Sequence, residues 1–237
     1  MIITNSNVFN KVCSEMQNFC KHNEKLDGYK NERLFHNVFF MDKNLMCATN
    51  GRFMAIRNMS DCVINEEIFA FPCNIKPTKF VTSDGEQLII ESRKEDYFSN
   101  DKKEVINFNW KIVVPTAEPT VIKEYDFSDY KPTLIPLEKY SEVKFCDNGD
   151  VVFNYNDYYE TVVTYSDVVK EDDFFEDCND KKIKSVLFPM YQIYWILNKS
   201  KNFVYQEFDI DGWKPRVFLT SEYKFIANHM YNGEVYD

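Results

Sequence analysis

Glycine is scarce in this chain, with six in 237 residues, and histidine scarcer still at three. Few glycines leave little room for low-complexity or loosely turning stretches, so an ordered, packed chain is expected. The three histidines, His22, His36 and His229, have no second histidine or carboxylate at ligand spacing on a shared element, so each reads as a solvated or core side chain. No serine lies in a G-x-S-x-G context and no glycine loop has phosphate-cradling spacing. The seven cysteines include no C-x-x-C pair and are odd in number, which points to reduced, mostly buried thiols rather than a disulfide framework or metal knuckle. No apolar run is long enough to span a bilayer, and none follows a basic start at the N-terminus. The expectation is a cytoplasmic protein without catalytic constellation, cofactor, metal or membrane contact. Asp209-Ile210-Asp211-Gly212 starts like a calcium loop but lacks its later acidic positions, so it reads as a β-turn.

Aromatics are abundant at 16%, and apolar residues at 44% suffice for a core. The net charge of −10 argues against nucleic-acid binding through overall charge, and only the distribution of charge could place a basic surface. The acidic run Glu171-Asp172-Asp173, with Glu176, Asp177 and Asp180, reads as a solvated loop.

Periodicity predicts a helix over Asn5 to His22, with Val8, Val12, Met16 and Phe19 as its apolar stripe and Phe9 and Cys20 widening it. Asn5, Ser6 or Asn7 would cap its start. Short strands follow at 34–41, 45–47, 53–56, 67–71, 79–82, 87–92 and 106–114. Three prolines between Pro115 and Pro132 mark a linker, with the boundary near Glu118. Beyond it come a short helix at 137–142, a hairpin of 143–145 with 151–155, a strand at 159–165, a charged loop at 170–182, a helix at 189–199 and three closing strands.

The segment Leu45-Met46-Cys47-Ala48-Thr49-Asn50-Gly51-Arg52-Phe53-Met54-Ala55-Ile56 reads as strand, tight turn and strand, because Asn-Gly accepts the positive backbone angles such a turn needs. It resembles the "A-T-D-G-H-R-L-A-V" segment in the middle domain of the bacterial DNA polymerase sliding clamp. Asn107-Phe108-Asn109-Trp110-Lys111-Ile112-Val113-Val114-Pro115 is similar to that family's "F-P-D-Y-R-R-V-L-P". The helix at Tyr191–Leu197, then Phe203-Val204-Tyr205 and Lys214-Pro215-Arg216-Val217-Phe218-Leu219, resembles its last domain with the "K-P-V-L-I" strand. Tyr223 to Met230 stands where the family has "Y-V-V-M-P-M".

The resemblance implies an α+β, mostly antiparallel fold of two clamp-like domains with few short helices: 1–118 like the middle domain and 119–237 like the last. The family builds each domain from two β-α-β-β-β units; here Pro72 and Pro77 forbid a long second helix in the first half. The implied function is that of a non-enzymatic processivity factor, or a phage or mobile-element variant of one. It would tether partners by encircling double-stranded DNA irrespective of sequence. Two domains per chain imply a homotrimer, since bacterial clamps close with two three-domain chains. The alternative is a clamp-like interaction protein that forms no ring and binds a replication or regulatory partner through an interdomain groove. DNA contact would fall to Lys11, Lys21, Lys25, Lys30, Arg33, Lys199 and Lys201, touching phosphates rather than bases, with Glu15, Glu24 and Glu32 diluting that face. The partner groove, for peptide motifs like those of polymerases and clamp loaders, would comprise Phe35, Thr49, Gly51, Met54, Phe108, Ile226 and Met230. Arg52-Phe53 replaces the family's His-Arg and Phe108 its proline. Asn228-His229 stands for Met-Pro, and Tyr231 to Asp237 extends past the usual end.

Overall fold

The computed structural model describes residues 1–20, 37–51, 53–64, 68–73, 78–82, 85–89, 109–128, 142–146, 151–155, 158–162, 185–189, 195–196 and 200–227. Its strands are β1 (Ile2–Ile3), β2 (Val38–Asp42), β3 (Leu45–Thr49), β4 (Phe53–Asn58), β5 (Val63–Ile64), β6 (Ile68–Pro72), β7 (Thr78–Thr82) and β8 (Gly85–Ile89). Then come β9 (Val121–Asp126), β10 (Glu142–Cys146), β11 (Val151–Tyr155), β12 (Tyr158–Val162), β13 (Ser185–Pro189), β14 (Asn202–Glu207), β15 (Arg216–Leu219) and β16 (Tyr223–Ala227). The helix α1 covers Ser6–Cys20, and a 3-10 turn covers Trp110–Val113. The fold is mostly antiparallel β, as expected.

The chain divides into two compact units, one of Met1–Thr116 with Glu222–Ile226, the other of Ala117–Ser221 with Ala227–Asp237. In the first, β6-β2-β3-β4-β16 and β5-β1-β8-β7 are the sheet orders. Helix α1 starts where the Asn5 Oδ1 accepts from the Val8 amide at 3.2 Å, satisfying a donor that the first turn leaves without a partner. Its buried side is Phe9, Val12, Glu15, Met16, Phe19 and Cys20. Val8, counted in the apolar stripe, is only half-buried, because the face turns toward Phe9, whose ring lies 6.3 Å from that of Phe71. Further along, Phe19 stacks on Phe53 at 5.5 Å and meets Phe225 at 5.4 Å, so one helix binds β4 and β16 through aromatic faces.

In the second unit the orders are β15-β14-β9 and β12-β11-β10-β13. Phe145 of β10 joins them: its ring is 5.1 Å from Tyr205, 5.4 Å from Tyr125 and 5.5 Å from Phe218. These rings come one each from β9, β14 and β15, and on β14 the buried Phe203 and Tyr205 alternate as a period of two requires of a sheet packed on one face. Phe127 and Phe203, stacked at 5.6 Å, extend the same core.

Several expectations are corrected. The segment 115–132, expected as a linker, contains β9, paired along Val121–Asp126 with β14. Its alternation is real, since Tyr125 is buried while Ile122, Glu124 and Asp126 are exposed. The strand expected through 106–114 is a 3-10 turn from Trp110, with Trp110 buried and Lys111 paired to Asp42. Residue 142, expected to end a helix, begins β10, and Pro189, expected to start one, ends β13. Trp195 and Ile196 are helical, and the Ser200 amide donates to the Ile196 carbonyl at 2.8 Å, a helical spacing. Strands β1, β5 and β13 were not anticipated. The charged loop at 170–182 lies outside the described residues.

Candidate functional site

The turn after β3 is built from its own side chains. The Thr49 hydroxyl donates to the Phe53 carbonyl at 2.9 Å and accepts from the Gly51 amide at 3.0 Å. The Asn50 carboxamide accepts from the Phe53 amide at 2.8 Å, and the Asn50 amide donates to the Phe53 carbonyl at 3.2 Å. Gly51, at φ 85°, takes the left-handed conformation that a Cβ would strain. Side-chain acceptors thus replace the ladder where the chain reverses, and Gly51 is left exposed at the tip. Beneath it, Thr49 and Met54 are Cα partners across β3 and β4, and β16, which carries Ile226, lies next to β4. Of the residues assigned to a peptide groove, Thr49, Met54 and Ile226 are 2%, 4% and 2% exposed and Gly51 is open, while Phe35, Phe108 and Met230 lie outside the described residues.

Helix α1 carries the described part of the expected cationic face. Asn7, Asn10, Lys11, Ser14 and Asn18 are exposed at helical spacing. Glu15, expected to dilute that face, instead points inward: it is 8% exposed and accepts from the Tyr223 hydroxyl at 2.6 Å. The outward side of α1 therefore carries one cation and no carboxylate. Lys201 is half-buried before β14; Lys21, Lys25, Lys30, Arg33 and Lys199 lie outside the described residues, as do Glu24 and Glu32.

Two ion pairs, each formed by a buried arginine, had no clear signal in the sequence. Arg57 grips Asp61 through both terminal nitrogens, at 3.0 and 2.8 Å, and its guanidinium lies 5.9 Å from the centroid of the Tyr223 ring. That guanidinium holds the Asp61 carboxyl below its ordinary range. In the second unit Arg216 pairs with Glu207 at 3.2 Å, and the Tyr205 hydroxyl donates to the same carboxylate at 3.0 Å. Only the i, i+4 spacing of Arg57 and Asp61 hinted at any of this, and it lies in a strand end and turn rather than a helix. Both guanidiniums are paired through their terminal nitrogens, while the Nε of each is buried without a hydrogen-bond partner. Cys13, Cys20, Cys47, Cys62 and Cys73 are free thiols, and burial pushes Cys13 and Cys62 up to about 12. Among the described residues no group of three His, Cys, Asp or Glu side chains gathers to hold a metal ion. None of their helices is long and apolar enough to cross a membrane. Asp211 and Gly212, at φ 50° and 84°, form the tight turn expected there, closed by paired hydrogen bonds between Ile210 and Trp213.

No family model and no curated protein sequence matches the chain. Solved structures do. The Helicobacter pylori beta clamp bound to a DNA ligase peptide matches with TM-score 0.57 at 9% identity, over 97% of this chain and 65% of that one. The Pseudomonas aeruginosa DNA polymerase sliding clamp with ligand matches at 0.57 and 9%, over 98% and 65%. A putative DNA polymerase III beta subunit from Eubacterium rectale matches at 0.56 and 9%, over 97% and 65%. The chain thus spans about 65% of the length of these clamps. The match over nearly the whole chain leads to one conclusion: this protein has the fold of the bacterial DNA polymerase III beta sliding clamp.

Proposed function

We propose that the chain is a clamp-like processivity factor of the cytoplasm, one that holds partner proteins on duplex DNA by surrounding it and performs no chemistry. The observation that carries this reading is the clamp fold over 97% of the chain, joined to an outward α1 face without carboxylates despite a net charge of −10. Amide and hydroxyl groups beside Lys11 contact phosphates without reading bases, and a sliding tether needs such weak, sequence-blind contacts. Lys21, Lys25, Lys30, Arg33, Lys199 and Lys201 complete the proposed cationic set. The units correspond to the middle and last clamp domains, and three copies supply the six needed for a ring. In the test, protein is loaded on nicked circular and on linear duplex DNA and the retained fraction measured. Retention on circles with rapid loss from linear ends is expected, alongside a trimer mass by light scattering. Equal retention on both would leave only ordinary electrostatic binding.

Pro72 and Pro77, which forbid a long second helix in the first half, favour a second reading, a clamp-like interaction protein that closes no ring. A monomer across micromolar concentrations with no DNA retention is its signature. In both readings the partner is a short apolar peptide received beside the Gly51 turn, with Thr49, Met54 and Ile226 supporting that turn from below and Phe35, Phe108 and Met230 extending the contact. The Helicobacter pylori relative, bound to a DNA ligase peptide, supports this class of partner. A peptide with two adjacent apolar residues is expected to shift the Gly51 amide resonance at about micromolar concentration. An unmoved Gly51 amide at saturating peptide sinks this contact.

A further inference from the structure

Strand β9 ends the order β15-β14-β9, so among the described strands it pairs with β14 alone. The phase of that pairing fixes which residues look outward. The Phe127 amide donates to the Lys201 carbonyl at 2.9 Å, and in this register the backbone groups of Tyr125 and Lys123 also turn toward β14. The amides and carbonyls of Ile122, Glu124 and Asp126 therefore turn to the open edge. The strand keeps one register over its six residues and contains no proline, so nothing in its backbone blocks a further strand. The same three residues carry exposed side chains: Ile122 is 58% exposed, and Glu124 and Asp126 are open while Tyr125 between them is buried. Hydrogen bonds from the Ser128 hydroxyl and amide hold the Asp126 carboxyl below its ordinary range, so it stays charged.

An added strand sets one side chain opposite each of these, where unlike charges stabilise the pair and like charges destabilise it. A second β9 running antiparallel about Glu124 would bring two Glu124 carboxylates face to face. No described strand of this chain has two cations two residues apart to answer Glu124 and Asp126. The charges that repel a copy of β9 attract a segment of the opposite sign. We propose that the outer edge of β9 takes an extended segment of another protein by strand addition, with two cationic residues two apart facing Asp126 and Glu124 and an apolar residue two further on facing Ile122. This rests on neither DNA binding nor ring closure.

The full chain is titrated at low ionic strength with two peptides of matched strand propensity, one containing Lys-Thr-Lys-Thr-Ile and the other Glu-Thr-Glu-Thr-Ile. The cationic peptide is expected to shift the Ile122 and Glu124 amide resonances and to slow their hydrogen exchange, while the acidic one leaves both unchanged. Glu124→Lys, at an open position, is expected to weaken the cationic peptide about fivefold. Ile122→Pro removes an outward amide without touching the ladder to β14, and is expected to weaken it as well. Equal response to both peptides, shifts that spare β9, or undiminished binding in Glu124→Lys would each overturn the proposal. So would a peptide that binds only as the molar mass by light scattering falls, because the edge would then belong to a second copy of the chain.

Discussion

At the scale of single residues, the decisive feature is where a charged or apolar group ends up relative to its neighbours. Met54 is 4% exposed beneath the Gly51 turn, so Met54→Asp places a carboxylate among apolar atoms. A loss of about 3 kcal/mol or more in denaturant unfolding is expected. Asp61 offers a milder test. Its folded carboxyl titrates below the ordinary range because Arg57 donates to it, so its contribution is present above the unfolded value of about 3.9 and is lost as pH falls through the lower folded value. Half of that carboxylate faces solvent, which keeps the effect small. Asp61→Asn is expected to flatten the acid limb of stability against pH and to leave stability near neutral pH only slightly reduced. An unchanged acid limb in that variant would argue against the pairing.

At the scale of elements, caps and turn residues decide where helices and hairpins begin. Asn5→Ala removes the acceptor for the Val8 amide and is expected to cost about 1 kcal/mol, read as a lower thermal midpoint with α1 amides exchanging first. Gly212 sits at φ 84° with open space where a Cβ would go, so Gly212→Ala meets backbone strain and no clash. Its expected cost is about 1 kcal/mol, as for any L-residue forced into that conformation. Strand β9 shows why a proline-flanked segment misleads. Its polar residues Lys123, Glu124 and Asp126 dilute the apolar signal, and only the backbone pairing with β14 reveals the strand.

At the scale of the whole molecule, burial shields the thiols. Cys20, Cys47 and Cys62 are buried, and desolvation pushes the Cys47 thiol well above its usual value. An aromatic disulfide reagent at pH 8 is expected to leave these three unmodified in the native protein and to react with them once denaturant is added. Rapid native modification of Cys47 would mean that β3 opens far more readily than its packing indicates. Both units use the same device, an aromatic cluster bridging elements that are distant in sequence, with Phe19, Phe53 and Phe225 in one and Tyr125, Phe145 and Phe203 in the other.

Local signals in the sequence were enough for much of the fold. The stripe of Val8, Val12, Met16 and Phe19, widened by Phe9 and Cys20, carries α1, although Val8 itself is only half-buried, and Asn50-Gly51 and Asp211-Gly212 carry their turns because few residues accept positive φ. The order of loosely matching segments carries the likeness to sliding clamps, later found in the structure as a whole. For the proposed site the structure gives the burial of some residues. Lys11 and Gly51 are exposed while Thr49, Met54 and Ile226 are buried; helical spacing sets Glu15 on the same side as Val12 and Phe19, but not its partner Tyr223, which stands 208 residues away. Nor could it assign β16 to the first unit, since strand neighbours are chosen by hydrogen bonding and packing between distant segments. Short-range pattern determined α1, the glycine turns and the strands with strong apolar alternation; strands such as β1, β5, β9 and β13, and which charges a core buries, were decided by tertiary pairing and packing.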